Sequence, residues 1–438
     1  MKPMPIAFLA ILLACAPAAR AADPWPAEAN TAAIQLTAID SGLNTVNWSG
    51  AFWNPATRTL WLACNSGYFW ALVEGGPYGI QVATNAAGTP AKWTSSGDFE
   101  AICQAGLGDD RVYVMDENGY IREFDVAQFG VVVQSQGWDI RAQCPEAGGA
   151  SGGEGIAFVP DEFLQRQRFC DSNGVAVVSS NGMGGLMFVG YQNDGFVYAF
   201  DLNRGNGQYT FVGRYKTGRT ETADLEFDRA TGQLYVWHNL GENDLEVVEL
   251  NSYADGADRR LRQLAEYVGP RTGNLEGFAL VPSAATNASG GCILTDDDNL
   301  NGEAILWYRE FQPDPDTDAD GLSDGYELWN FGSTTQTVGS ADSDVDSFSN
   351  AAEEIAGTDP NDPGSALVQN AATADSEALV LSWPSATGRI YAIHSTDVIT
   401  NGFTNTVQSH IADSAPLNTA TVDVSGLMGL SFYRIAAE

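Results

Sequence analysis

From 34 to 311 the apolar positions come in short alternating runs, among them Leu60-Trp61-Leu62, Val112-Tyr113-Val114 and Leu234-Tyr235-Val236, with Gly, Asn, Asp and Pro between them. A period of two turns one face of an extended segment to a core and the other to water, so the pattern predicts strands. Helical spacing is nearly absent there, and 161–169 is the one stretch that predicts a turn of helix. After 312 the pattern changes. Two short helical signals follow, 326–331 and 350–356, the second stopped by Gly357 ahead of Asp359-Pro360. Beyond 365 alternation returns in 379–383, 389–394, 419–424 and 432–435, which predicts a small β-sandwich. The expected fold class is all-β: a large region 33–312, a connector 313–363 and a C-terminal module 365–438.

Stacking the runs of the large region brings out a repeat. Ser49-Gly50-Ala51-Phe52-Trp53 precedes Leu60-Trp61-Leu62, Asp98-Phe99-Glu100-Ala101-Ile102 precedes Val112-Tyr113-Val114, and Glu154-Gly155-Ile156-Ala157-Phe158 precedes Leu186-Met187-Phe188-Val189. Ala223-Asp224-Leu225-Glu226-Phe227 and Glu276-Gly277-Phe278-Ala279-Leu280 open two further units. A spacing of roughly 50 to 70 residues suits one four-stranded blade with inserted loops, so the expected architecture is a five- or six-bladed β-propeller. The run 34–39 would complete the last blade by pairing with 305–308, which closes the circle and removes sheet edges.

At these residues the chain resembles the SdiA-regulated family and the phytase-related esterase-like family of secreted and periplasmic propellers, and more distantly the calcium-dependent lactonases. The repeated Glu-Gly-(Ile/Phe)-Ala at Glu154 and Glu276, the Asp-Phe-Glu ending at Glu100, and Thr295-Asp296-Asp297-Asp298-Asn299 carry the likeness, which covers most of 33–312. The resemblance implies a propeller fold and, as an activity, hydrolysis of a phosphoester, ester or lactone at the central channel.

In a propeller the first strand of each blade borders the channel, so an acid repeated at its start forms a ring. Glu100, Glu154 and Glu276 align there, with Asp224 one place off and Ser49 and Ala223 breaking the pattern. Converging carboxylates repel unless a cation or protons neutralise them, and calcium is the simplest resolution. Asp116, His238 and Asp296 fall at the ends of the following strands, with Cys64 and Tyr191 at the remaining places. Asp116 and Asp296 add candidate channel ligands. The catalytic candidates are His238, as general base, with Glu154 and Glu276 holding a calcium ion that polarises the substrate oxygen. The competing reading is structural: polar residues at strand ends pin loops, and a histidine in the turn His238-Asn239-Leu240-Gly241 bonds locally. No nucleophile elbow, P-loop, zinc-binding H-E-x-x-H or dinucleotide fingerprint is present. Two units lack the ring acid, which favours a noncatalytic binding or cell-surface protein over a calcium-dependent hydrolase. Trp48, Trp53 and Trp70 are candidates to stack on sugars, the alternative being core packing.

The connector carries two Asp ladders. Asp316, Asp318, Asp320, Gly321, Asp324 and Glu327 fill positions 1, 3, 5, 6, 9 and 12 of the EF-hand-like loop D-x-D-x-D-G-x5-E, and Leu322 supplies the carbonyl of position 7. Asp342, Asp344, Asp346, Phe348, Asn350 and Glu353 repeat the arrangement, with Ser347 where glycine is usual. Alternate residues of a tight loop turn their oxygens to one centre, and Ca²⁺ takes that many hard oxygens. With the closing 357–363, the paired loops resemble thrombospondin type 3 and dockerin-like calcium repeats. A solvated acidic linker is the alternative.

Charge narrows the partners. A formal net charge of −35 and a pI near 4.1 argue against nucleic acid and anionic lipid as ligands unless metal ions intervene and favour cations, with a glycan or a protein at the cell surface as a further partner. Met1-Lys2, the apolar run 6–14 and Ala19-Arg20-Ala21 predict a secretory signal peptide over 1–22; lipoprotein processing at Cys15 is the competing reading. No later run approaches the ~20 apolar residues of a membrane helix. Of the five remaining cysteines, Cys64, Cys103, Cys144, Cys170 and Cys292, local pairing of Cys103 with Cys144 or of Cys144 with Cys170 is expected in an exported chain.

Overall fold

The computed structural model describes residues 22–27, 32–43, 47–144, 152–241, 243–281, 291–298, 303–311, 313, 316–369, 371–374, 378–386, 388–414, 416–425 and 431–437. The expected signal segment lies outside them except for Ala22.

The large region is built of antiparallel meanders of four strands. The first holds Trp48–Asn54, Thr59–Cys64, Tyr68–Glu74 and Ile80–Val82, with Lys92–Thr94 also on the third strand. The second holds Phe99–Cys103, Arg111–Asp116, Tyr120–Asp125 and Val133–Asp139. The third holds Gly153–Pro160, Gly185–Tyr191, Phe196–Leu202 and Tyr209–Lys216; the fourth holds Asp224–Phe227, Leu234–His238, Asp244–Asp255 and Asp258–Val268. These two join edge to edge through a parallel pairing of Tyr215 with Arg259 and Lys216 with Arg260. Their first strands also meet, so the resulting eight-stranded sheet is nearly closed, like a barrel. The fifth group holds Leu275–Val281, Gly291–Asp296 and Ile305–Arg309, completed by the N-terminal Ala32–Ile34.

The first strands of the five groups touch in cyclic order, and the fifth returns to the first. The last sheet is therefore closed by the far end of the chain, with Ile34 opposite Ile305 and Ala32 opposite Trp307. The strand expected over 34–39 is shorter: Ile305 begins its own strand, so pairing stops at Ile34, and Leu36–Ile39 turns into a single helical turn that buries Leu36. The helix expected over 161–169 spans Asp161–Arg166.

Flat aromatic side chains fill the space between sheets, where they bury large areas and stack. Phe69 lies on Trp93 at 5.5 Å between ring centres, and Trp237 on Phe278 at 6.0 Å with planes 7° apart, joining the fourth and fifth groups. Trp48, Trp53 and Trp70 are core residues, at most 2 % exposed, which removes them as a sugar platform. The five cysteines are free. The expected pairings do not form: the Cys103 sulfur lies in the core 3.8 Å from that of Met187, and the Cys170 thiol donates to the Arg168 carbonyl oxygen at 3.2 Å.

The connector holds helices Asp324–Asn330 and Asn350–Ala356, capped by the side chains of Ser323 and Ser349. Gly357 ends the second at φ 74°, the left-handed conformation glycine adopts without strain. The C-terminal module is two three-stranded sheets over one core of Leu381, Trp383, Tyr391, Ile393, Ala420 and Val422. Asn405–Ala412 escaped the sequence pattern because most of its side chains are exposed and polar. Among the described residues no helix is long and apolar enough to cross a membrane.

Candidate metal centres

The repeated Glu-Gly motif has a geometric meaning in the ring. Pairing between first and second strands skips a residue in four of the five groups, at Ser49, Glu100, Glu154 and at Glu276-Gly277. Each is a β-bulge, which re-aims the extra residue and exposes backbone groups beside it. The small residue that follows lets neighbouring first strands close up. A methyl on Gly50 would meet the Ala101 Cα at 2.6 Å, and one on Gly277 the Ala51 nitrogen at 2.8 Å.

The bulges bring Glu100, Glu154 and Glu276 into one electrostatic cluster. Burial, then the charge of Glu276, then Asp98 and Glu117 push Glu100 up to about 9. Glu276 rises to about 8 through burial and Asp297, and burial together with Glu100 and Glu276 holds Glu154 well above the carboxylate range. Oxygens of Asp98, Glu100 and Glu117 lie within 4.8 Å of one another, a group that could hold a metal ion. Glu154 is 6 % exposed, and no hydrogen-bond donor among the described residues reaches it. Asp98, Glu117, Asp297 and Asn274, which donates to Glu276 at 2.8 Å, were not anticipated as members. Their signal was adjacency: Asp98 stands two residues before Glu100, Glu117 follows the strand-end Asp116, and Asp297 follows Asp296.

Asp224 lies apart from these carboxylates in role. Its strand pairs with the next without a bulge, and its side chain accepts the backbone N–H of Phe278 and of Leu225, each at 2.8 Å, with Ala51 and Ile156 also donating to it. Three of those N–H groups, those of Ala51, Ile156 and Phe278, stand just past the bulges of the first, third and fifth groups, so Asp224 ties their first strands together. Asp116 is paired with Arg122, and Asp296 with Arg271. Both therefore carry a local cation of their own.

His238 is 2 % exposed and held from both sides. Its Nδ1 lies 2.5 Å from the Glu221 carbonyl oxygen, to which it donates, and Nε2 lies 3.4 Å from Glu246 Oε2. Burial works to lower its pKa, but Glu221 and Glu246 outweigh it and raise it to about 9. The fourth group lacks the extra first-strand residue: Trp237 faces Asp224 as Met115 faces Ala101, so Asp224 stands one place past the ring acids while His238 keeps the strand-end place of Asp116.

The two connector loops share four matched backbone bonds. Asp316 accepts from the N–H of Asp320 and Gly321 (3.1 and 3.0 Å), and Asp342 accepts from Asp346 and Ser347 (3.2 and 3.0 Å). Asp320 accepts from Leu322 at 2.9 Å, and Asp346 from Phe348 at 2.8 Å. Asp324 and Asn350 each reach back to the second loop position, accepting from Thr317 and Ser343. Gly321 has φ 92° and Ser347 φ 85°, so the serine takes up the reversal that glycine makes in the first loop. Oxygens of Asp316, Asp318 and Asp320, and those of Asp342, Asp344 and Asp346, again lie within 4.8 Å of one another and could hold metal ions.

The closing acids have buried carboxylate oxygens that no donor among the described residues meets. Glu327 is fully buried with neither carboxylate oxygen hydrogen-bonded, and Glu353, 1 % exposed, leaves Oε2 without a partner. A buried, unpaired carboxylate is costly unless a cation or proton meets it. Burial, followed by the loop aspartates, pushes each up to about 7. The donor set is oxygen only and acidic, which fits a hard divalent cation. No protein-family model matches the chain, and no curated protein matches it in sequence.

Proposed function

We propose that the chain is an exported, calcium-binding protein whose large region is a five-bladed β-propeller, whose connector loops each hold one Ca²⁺, and whose C-terminal module is a β-sandwich. Its role is noncatalytic binding at or beyond the cell surface. The observation that carries the calcium reading is Glu327: two buried oxygens with no donor, beside a ladder in which Asp316, Asp320 and Asp324 already accept backbone N–H groups. Calcium suits the sites better than magnesium, because a cage of six or more protein oxygens is what Ca²⁺ accepts and Mg²⁺, which keeps its waters, does not. The signal segment supports export. The cyclic contact of the first strands supports the propeller.

Titration calorimetry of the mature chain tests the reading. Two calcium equivalents are expected at the connector, with Glu327→Gln and Glu353→Gln each removing one. No heat at millimolar calcium would sink it.

The second reading, a calcium-dependent hydrolase of a phosphoester, ester or lactone, draws its support from Glu154, buried without a donor among Glu100, Glu276, Asp98 and Glu117. Replacing Glu154 and Glu276 with Gln would then abolish a channel metal and turnover together. His238, enclosed by Glu221 and Glu246, acts as a structural cation in the first reading and as a base only in the second.

A further inference from the structure

The two ends of the ring differ. The acids stand where the first strands begin. Where those strands finish, Phe52, Trp53, Phe227 and Arg229 face Gly388 and Arg389 of the C-terminal module across a cavity of only about 60 Å³. Gly388 has φ 80°, and a methyl on it would meet the Arg229 carbonyl oxygen at 2.2 Å. Arg229 is in turn fixed by donating to the carbonyls of Gln104 and Ala105 at 2.9 and 2.7 Å. The module thus sits as a cover on this end.

What holds the cover belongs to the connector helices. Arg389 donates to the Glu354 carbonyl at 2.6 Å, and the Glu354 carboxylate accepts from Ser323, the cap of the other helix. Trp329, on that other helix, packs against Gly232 of the fourth sheet with the Arg166 guanidinium 4.9 Å from its ring. Both helices begin inside the loops, since Asp324, Glu327, Asn350 and Glu353 lie in their first turns. Helices of seven residues do not persist unaided. No Lys or Arg lies between 314 and 363 to offset Asp316, Asp318, Asp320, Asp324, Glu327, Asp342, Asp344, Asp346 and Glu353.

Resting on the reading of the loops as cation sites, we infer that the bound cations latch the C-terminal module over the finishing end of the ring, and that their loss opens that end. Without cations the carboxylates repel, the first helical turns unwind, Glu354 and Trp329 leave their seats, and Arg389 loses its acceptor. The acidic end is not touched by this change.

Hydrogen exchange on the mature full-length chain, in calcium and in chelator, tests the latch. In chelator the amides of 104–107, 227–230 and 388–391 should exchange at least tenfold faster along with those of the loops, while 98–101 and 274–277 keep their protection. Loop amides that loosen while 104–107 and 227–230 stay protected would overturn the latch and leave the cation reading standing; absence of calcium binding by calorimetry would overturn the cation reading itself. Arg389→Ala keeps every loop carboxylate. Because coupling is reciprocal, it should weaken connector calcium affinity about fivefold and expose 227–230 even in calcium. Affinity unchanged within twofold, or unaltered protection of 227–230 in this variant, refutes the coupling.

Discussion

The connector loops and the acidic end of the ring both crowd carboxylates, and they assemble them by opposite means. In the connector the oxygens of one site come from twelve consecutive residues, positioned by hydrogen bonds within that same loop. In the ring, Glu100, Glu154 and Glu276 come from three different sheets and meet only because each sits on a bulge. The first kind of cluster has little beneath it besides its own loop. The second rests on a frame of paired strands and stacked aromatic rings that exists independently of any ion.

Removing cations should separate the two most sharply. At free calcium a thousandfold above the dissociation constant each loop site contributes ~4 kcal/mol, so chelation should melt the connector first and leave the strand signal of the ring intact in circular dichroism. A ring that unfolds together with the connector would erase the distinction. Next in size is Asp224→Ala, which strips a shared acceptor from buried backbone N–H groups of several sheets and should cost about 4 kcal/mol in urea denaturation, with connector calcium binding unchanged.

His238 probes the ring by pH. Its pKa is raised from 6.5 to about 9, so the stability it contributes is fully present below about 6.5 and disappears as pH rises through 9. The difference in stability between the wild type and His238→Gln should shrink by on the order of 3 kcal/mol between pH 6 and pH 10. A constant difference would mean the imidazole is neutral throughout. The smallest effect is local to the connector. Ser347→Gly relieves a left-handed serine and should tighten the second site by about 1 kcal/mol, roughly fivefold in affinity, without moving the first.

The Asp ladders were readable because their geometry is a matter of spacing along twelve residues. The Ser323 and Ser349 caps, which the pattern did not announce, lie in the same short stretches as the turns at Gly321 and Ser347. The Glu-Gly repeat was also visible, but its cause was not. A bulge shows in the pairing of two strands, and the need for glycine in the approach of a third. Sequence left His238 either a structural residue of its turn or a base, and its actual partners were not legible because Glu221 and Glu246 lie on either side of it in the chain at distances that carry no pattern. The pairing of Asp116 with Arg122 and of Asp296 with Arg271 was hidden for the same reason.

By itself the sequence determined the alternation that makes strands, the divide between sheets and connector, the oxygen ladders, and the strongly acidic charge. These are set by period and spacing, which local backbone geometry translates directly. Tertiary structure alone decided which acids share an electrostatic field, which are neutralised by arginine, and that the C-terminal module covers one end of the ring. Those outcomes depend on distances between residues far apart in the chain, and such distances are fixed only when the sheets have packed.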